Sequence, residues 1–235
     1  MTYEEMLAEL PGNRDEYASD KIERIDCPQL ENKKILFLGS SVTYGMASLQ
    51  DGIPEYFRQR LGCIETKEAI SGTTLADVEP DSYVYRLIHN VDPKEAYDMV
   101  ICQLSTNDAS KGPALGEISA SKDKNDFNTK TIIGAMEYII AYSKDTWHCP
   151  VLFYTGSRYE SANYEAMVSA LYKLAAKWSL GVLDLWNSDS FNDIPDDARN
   201  LYMTDPIHPT KAGYMKWWCP EMEKQILLYQ TREYA

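Results

Sequence analysis

The chain has 235 residues, 44% of them hydrophobic and 25% charged, the make-up of a soluble globular protein of one domain. Its formal net charge of -13 repels phosphate backbones and anionic membrane surfaces, so neither nucleic acid nor membrane is expected as a partner. The start, Met1-Thr2-Tyr3-Glu4-Glu5, lacks the basic and apolar regions of a signal peptide, and no apolar run approaches a membrane span. Five cysteines (Cys27, Cys63, Cys102, Cys149, Cys219) show neither a C-x-x-C pair nor metal-ligand spacing. The expectation is a cytoplasmic protein with free thiols and no metal.

Residues 1–32 are polar and broken at Leu10-Pro11-Gly12-Asn13. They read as a short helix and then an arm packed on the main domain, residues 33–235. The run Lys33-Lys34-Ile35-Leu36-Phe37-Leu38-Gly39 is continuously apolar after its lysines and stops at glycine, as a strand buried on both faces does. Ile64 to Ile70 is a weaker strand pattern. Met99 to Leu104, Val151 to Tyr154 and Val182 to Leu185 repeat the first one. Helical stripes lie between them: Ile132, Ile133, Met136, Ile139 and Ile140, then Tyr164, Met167, Val168, Leu171, Leu174, Ala175 and Trp178. A last helix is expected from Thr210 to about Tyr229. Strands alternating with helices imply a parallel sheet covered on both sides, with ligands at the carboxyl ends of its strands.

Four short segments follow those strands. Gly39-Ser40-Ser41-Val42-Thr43-Tyr44-Gly45 turns sharply into a helix, and a serine there projects into the crevice beside free N–H groups. Alone, the same residues read as a plain helix cap. They do not fit the phosphate-loop, dinucleotide or G-x-S-x-G patterns. Ile70-Ser71-Gly72-Thr73-Thr74 offers an unobstructed glycine N–H, or a simple turn. Leu104-Ser105-Thr106-Asn107-Asp108 offers a side-chain amide, or another cap. Thr204-Asp205-Pro206-Ile207-His208-Pro209 places a carboxylate three residues before a histidine, where it can fix the ring's tautomer. Of the other two histidines, His89 follows an apolar stretch and His148 precedes Cys149-Pro150.

In this order the four segments resemble the SGNH hydrolases, or GDSL-type esterases, between about Lys33 and Gly213. The resemblance implies a flavodoxin-like three-layer α/β/α sandwich with a five-stranded parallel sheet. It implies a catalytic triad of Ser41, Asp205 and His208, and an oxyanion hole from Ser41, Gly72 and Asn107. It implies ester hydrolysis without metal or organic cofactor. Ser40 stands where the family usually has Asp, and Ser105 where it usually has Gly. The expected activity is a serine esterase acting on a small-molecule ester with a short acyl group, acetyl first, on a carbohydrate among other alcohols. Tyr44, Arg158 and Tyr159 are candidate pocket residues near strand ends. A thioesterase, lysophospholipase or acyltransferase on the same site is the alternative, as is a binding protein without catalysis on the same fold.

Overall fold

The computed structural model describes residues 2–233. Five strands, β1 (Lys34–Gly39), β2 (Ile64–Ala69), β3 (Met99–Gln103), β4 (Val151–Tyr154) and β5 (Gly181–Leu183), form one sheet in the order β2-β1-β3-β4-β5. Every neighbouring pair is parallel. Strand side chains alternate between faces, and the core divides accordingly. Leu36, Leu38, Val100, Cys102, Val151 and Phe153 join one cluster. Ile35, Phe37, Met99, Ile101, Leu152 and Tyr154 join the other.

Eleven helices are described. In chain order, α1 (Tyr3–Ala8), α2 (Ser41–Tyr44), α3 (Ile53–Leu61), α4 (Tyr83–His89), α5 (Thr106–Lys111), α6 (Ile132–Trp147) and α7 (Ala162–Trp178) precede β5. After it come α8 (Asp189–Asn192), α9 (Asp196–Tyr202), α10 (Lys211–Gly213) and α11 (Cys219–Glu233). The apolar stripes of α4, α6 and α7 bury against the first face of the sheet. Residues of α3 and α11 bury against the second. The result is a three-layer α/β/α sandwich, with both stripes foreseen from their spacing lying in the core. No described helix is long and apolar enough to cross a membrane.

Several boundaries differ from the sequence reading, most of the strand ends by a single residue. β5 ends at Leu183, because the Asp184 carboxylate turns back to accept from Thr155 Oγ1 and the Asn187 backbone N–H. The last helix is interrupted by a π-helical turn, Tyr214–Trp218, and continues to Glu233 rather than stopping near Tyr229. Before β1, the expected short helix is α1, and the arm after it is wound into three 3₁₀ turns. Buried Asn13 fastens it: its amide donates to the carbonyls of Leu7 and Ala47, and its oxygen accepts from the Lys211 N–H at 2.9 Å.

Sheet order decides where the crevice opens. The chain leaves β1 toward β2 on one side and later returns to β3 on the other. The carboxyl ends of β1 and β3 therefore flank the point where strand order reverses, the usual ligand position in an open α/β sheet.

Candidate active site

Ser41 is the first residue of α2, directly after β1. Its tight approach depends on Gly39: a Cβ there would lie 1.7 Å from Thr43 Oγ1. Gln103, at the end of β3, holds this turn from the neighbouring strand. Its Oε1 accepts from the Ser40 N–H at 2.9 Å, the Thr43 N–H at 3.2 Å and the Thr43 hydroxyl at 2.9 Å.

The Ser41 Oγ lies 2.8 Å from His208 Nε2, although 167 residues separate them. His208 Nδ1 lies 2.7 Å from Asp205 Oδ2. The other Asp205 oxygen accepts from the backbone N–H groups of Ile207 and His208, at 2.7 and 2.9 Å. Partial burial works against ionisation of Asp205. The His208 ring and those backbone N–H groups outweigh it and hold the carboxyl below its ordinary value. A serine hydroxyl, an imidazole and an ionised carboxylate thus form one hydrogen-bonded line.

Around Ser41 stand the other two residues named from the sequence. The first N–H groups of a helix have no intrahelical acceptor, which leaves that of Ser41 available. Gly72 follows β2 in a left-handed conformation, φ +84°, with no atom within 4 Å of where a Cβ would point, so a ligand can approach its backbone. Asn107, in the first turn of α5, donates its amide to Thr73 O at 2.9 Å and to Ser40 Oγ at 3.1 Å. The two departures from the family pattern have local roles. Ser40 supplies the hydroxyl that accepts from Asn107, and Ser105 caps α5 by accepting from the N–H groups of Asn107 and Asp108.

Three further residues hold the Gly72 loop, and the strand-end segments alone did not single them out. Buried Asp108 accepts from the N–H groups of Leu75 and Ala76, and its burial pushes its carboxyl pKa up. Lys111 donates to Gly72 O at 2.6 Å. Arg86 is fully buried. It donates to the carbonyls of Gly39, Glu68 and Asp81, to the Glu68 carboxylate and to Thr73 Oγ1. Gln103 and Asp108 carried a faint signal, as polar residues within or just beyond an apolar strand. Arg86 carried none.

The pocket candidates separate. Tyr159 borders both a small cavity that Val42, Thr106 and Ile207 also line and a depression of about 430 Å³ next to Asp205. Burial pushes its phenol up to about 12. Arg158 lines only the larger depression, and two of its groups are engaged, Nε with Trp186 O and Nη2 with Asp189. Tyr44 lines neither; the Lys67 ammonium sits 5.7 Å from the centre of its ring. His89 stacks on Tyr85, and His148 ends α6 with φ +53°. Among the described residues no cluster of His, Cys, Asp or Glu is arranged to hold a metal ion.

Residues 37–216 match the GDSL-like lipase/acylhydrolase family. No curated protein matches the sequence. Solved structures of similar fold include a protein from Lactobacillus plantarum, with 18% identity and a TM-score of 0.66 over 86% of this chain and 98% of that one. An acetyl xylan esterase shares 15% identity, with a TM-score of 0.59 over 81% and 98%. A family two carbohydrate esterase from Clostridium thermocellum, in complex with cellohexaose, shares 15% identity, with a TM-score of 0.58 over 89% and 66%. These likenesses carry the fold; the family match spans well over half of the chain. The chain belongs to the GDSL-like lipase/acylhydrolase family, the SGNH hydrolases.

Proposed function

We propose that this protein is a serine esterase that hydrolyses short-chain acyl esters through an acyl-enzyme on Ser41. The observation that carries the reading is the line from Ser41 Oγ through His208 to Asp205, with contacts of 2.8 and 2.7 Å. That is hydrogen-bond distance for a nucleophile, its base and the group orienting the base.

In the reaction, His208 Nε2 takes the Ser41 proton as Oγ bonds to the ester carbonyl carbon. The oxyanion is held by the N–H groups of Ser41 and Gly72 and by the Asn107 amide. The carbon–oxygen bond to the alcohol breaks, and His208 passes its proton to the leaving oxygen. Water then attacks the acyl-enzyme, with His208 again as base, and releases the acid and free Ser41. Asp205 stays ionised throughout and stabilises the imidazolium.

The small cavity lined by Val42, Thr106 and Ile207, chain neighbours of Ser41, Asn107 and His208, has room for about one water-sized group, about 10 Å³, in keeping with a short acyl group. The wider depression at Asp205 supports a larger alcohol. An acetylated carbohydrate is the alcohol class we favour, in keeping with the two carbohydrate-directed esterases among the structural relatives. The test is p-nitrophenyl acetate hydrolysis by the wild type and by folded Ser41→Ala. We expect activity that disappears in the variant. Equal rates in both would refute Ser41 as nucleophile.

A further inference from the structure

The short helix α5 holds the Gly72 loop almost residue by residue. Lys111 Nζ donates to Gly72 O at 2.6 Å. The Asn107 amide donates to Thr73 O at 2.9 Å. The Asp108 carboxylate accepts from the N–H groups of Leu75 and Ala76, at 2.6 and 2.9 Å. Thr74 lies between them and donates its N–H to Glu79 Oε1 at 2.8 Å, while Glu79 Oε2 pairs with Lys111 Nζ at 2.6 Å. Lys111 therefore ties the loop twice, directly at Gly72 and through Glu79 at Thr74.

Two of the three oxyanion donors of the proposed reaction sit on these parts, the Gly72 N–H on the loop and the Asn107 amide on α5. Gly72 is exposed, at φ +84°, with no atom within 4 Å of where a Cβ would point. A glycine with open space around it has wide backbone freedom. Among the described residues, the only hydrogen bond to the Gly72 backbone is the one from Lys111. The Lys111 and Glu79 side chains are 44% and 26% exposed, and an ion pair so open to solvent contributes little to stability. Its effect on a rate is another matter, because donors have to stay within about 0.5 Å of the productive geometry.

We propose that Lys111, braced by Glu79, is a positioning residue for the oxyanion hole: it sets the place of the Gly72 N–H relative to the Asn107 amide. The proposal rests on the esterase reading above and adds to it a residue that acts through Gly72 without touching substrate. With Lys111 removed, the Gly72 backbone is free to turn. The oxyanion then keeps the Ser41 and Asn107 donors and loses the full benefit of the third.

The experiment measures p-nitrophenyl acetate hydrolysis, and its inhibition by methylboronic acid, in wild type, Ser41→Ala, Lys111→Met, Lys111→Arg and Glu79→Gln. Ser41 Oγ gives a lone pair to boron as its proton passes to His208. The product is a tetrahedral anion, and one of its hydroxyl oxygens takes the oxyanion position. We expect Lys111→Met to lower kcat by about tenfold, less than the loss of a whole donor, with KM changed by no more than about twofold. Its inhibition constant for the boronic acid should rise by the factor by which kcat/KM falls, because both report the tetrahedral state. Its melting temperature should stay within about 3 °C of wild type. Lys111→Arg keeps a donor for Gly72 O and a charge for Glu79, and should restore most of the rate. Glu79→Gln keeps an acceptor for the Thr74 N–H but not the charge facing Lys111. It should lose an intermediate amount, and it decides alone should Lys111→Met fail to fold. A kcat for Lys111→Met within about twofold of wild type, or a fall in rate with boronic acid inhibition unchanged, overturns the positioning role and leaves the esterase standing. Absence of Ser41-dependent hydrolysis overturns both.

Discussion

The side-chain amide of Asn107 donates to the carbonyl oxygen of Thr73 at 2.9 Å, one residue after Gly72. One N–H thus fixes the amide against the glycine loop while the other faces Ser40 Oγ, in the crevice after β1. The bond to Thr73 holds the amide in place, and the second N–H reaches an oxyanion by sharing or releasing Ser40 Oγ as negative charge develops. We expect Asn107→Ala to lower kcat by about 10²–10³ with KM changed little. Steady-state kinetics on p-nitrophenyl acetate would check it, and a kcat within twofold of wild type would contradict the role.

The Asp205–His208 pair makes stability depend on pH. The Asp205 carboxyl is held below its ordinary 3.8 in the folded chain, so the unfolded chain binds the proton more readily. Its contribution is therefore present above that value and is lost as pH falls through the lower folded value. The urea midpoints of wild type and Asp205→Asn should differ by a constant amount at neutral pH and converge below 3.8. A gap that persists unchanged at lower pH would rule this linkage out. Since Asp205 is nearly half exposed, solvent screening keeps the effect modest.

Gly39 and Gly72 are needed for different reasons, and alanine separates them. At Gly39 a Cβ would lie 1.7 Å from Thr43 Oγ1 and 2.9 Å from Gln103 Oε1, so the turn before Ser41 has to move. At Gly72 no atom interferes, but φ is +84°. We expect Gly72→Ala to fold with a loss of about 1–2 kcal/mol from the left-handed backbone alone. Gly39→Ala should lose more and should lose the Ser40 and Thr43 contacts to Gln103. Thermal melts of the two variants would rank them; the reverse order would refute the account.

Arg86 is expected to be the costliest polar residue to remove near the site. Fully buried, it joins the end of β1 at Gly39 to Glu68 in β2 and to Thr73 beside Gly72. Arg86→Leu leaves those acceptors without their donor, and breaking a buried pair typically costs about 3–5 kcal/mol. Denaturant unfolding measures it directly. A loss under about 1 kcal/mol would mean that the carbonyls find other partners.

The chain's own pattern determined much of the architecture. Continuous apolar runs at 35–38, 99–102 and 151–153 read as strands buried on both faces, and the stripes at 132–140 and 164–178 as helices covering them, as the structure has them. The weaker pattern at Ile64 reflects the place of β2 at the sheet edge, where its residues are only partly buried. Ser41, Gly72, Asn107 and the Asp205–His208 pair were legible because each sits in a short local segment just beyond a strand or in a turn. What the chain could not display is everything that depends on contacts between distant residues. Ser41 meets His208 only because the fold brings residues 167 apart to the same sheet end. Arg86 is a positioning residue only because three separate segments aim carbonyls at it. Ser157 and Trp218 line one cavity only after the π-helical turn before α11 and the segment following β4 pack together, and their buried polar atoms lack partners there because an unpaired hydrogen-bonding group is a property of its surroundings and not of its residue type.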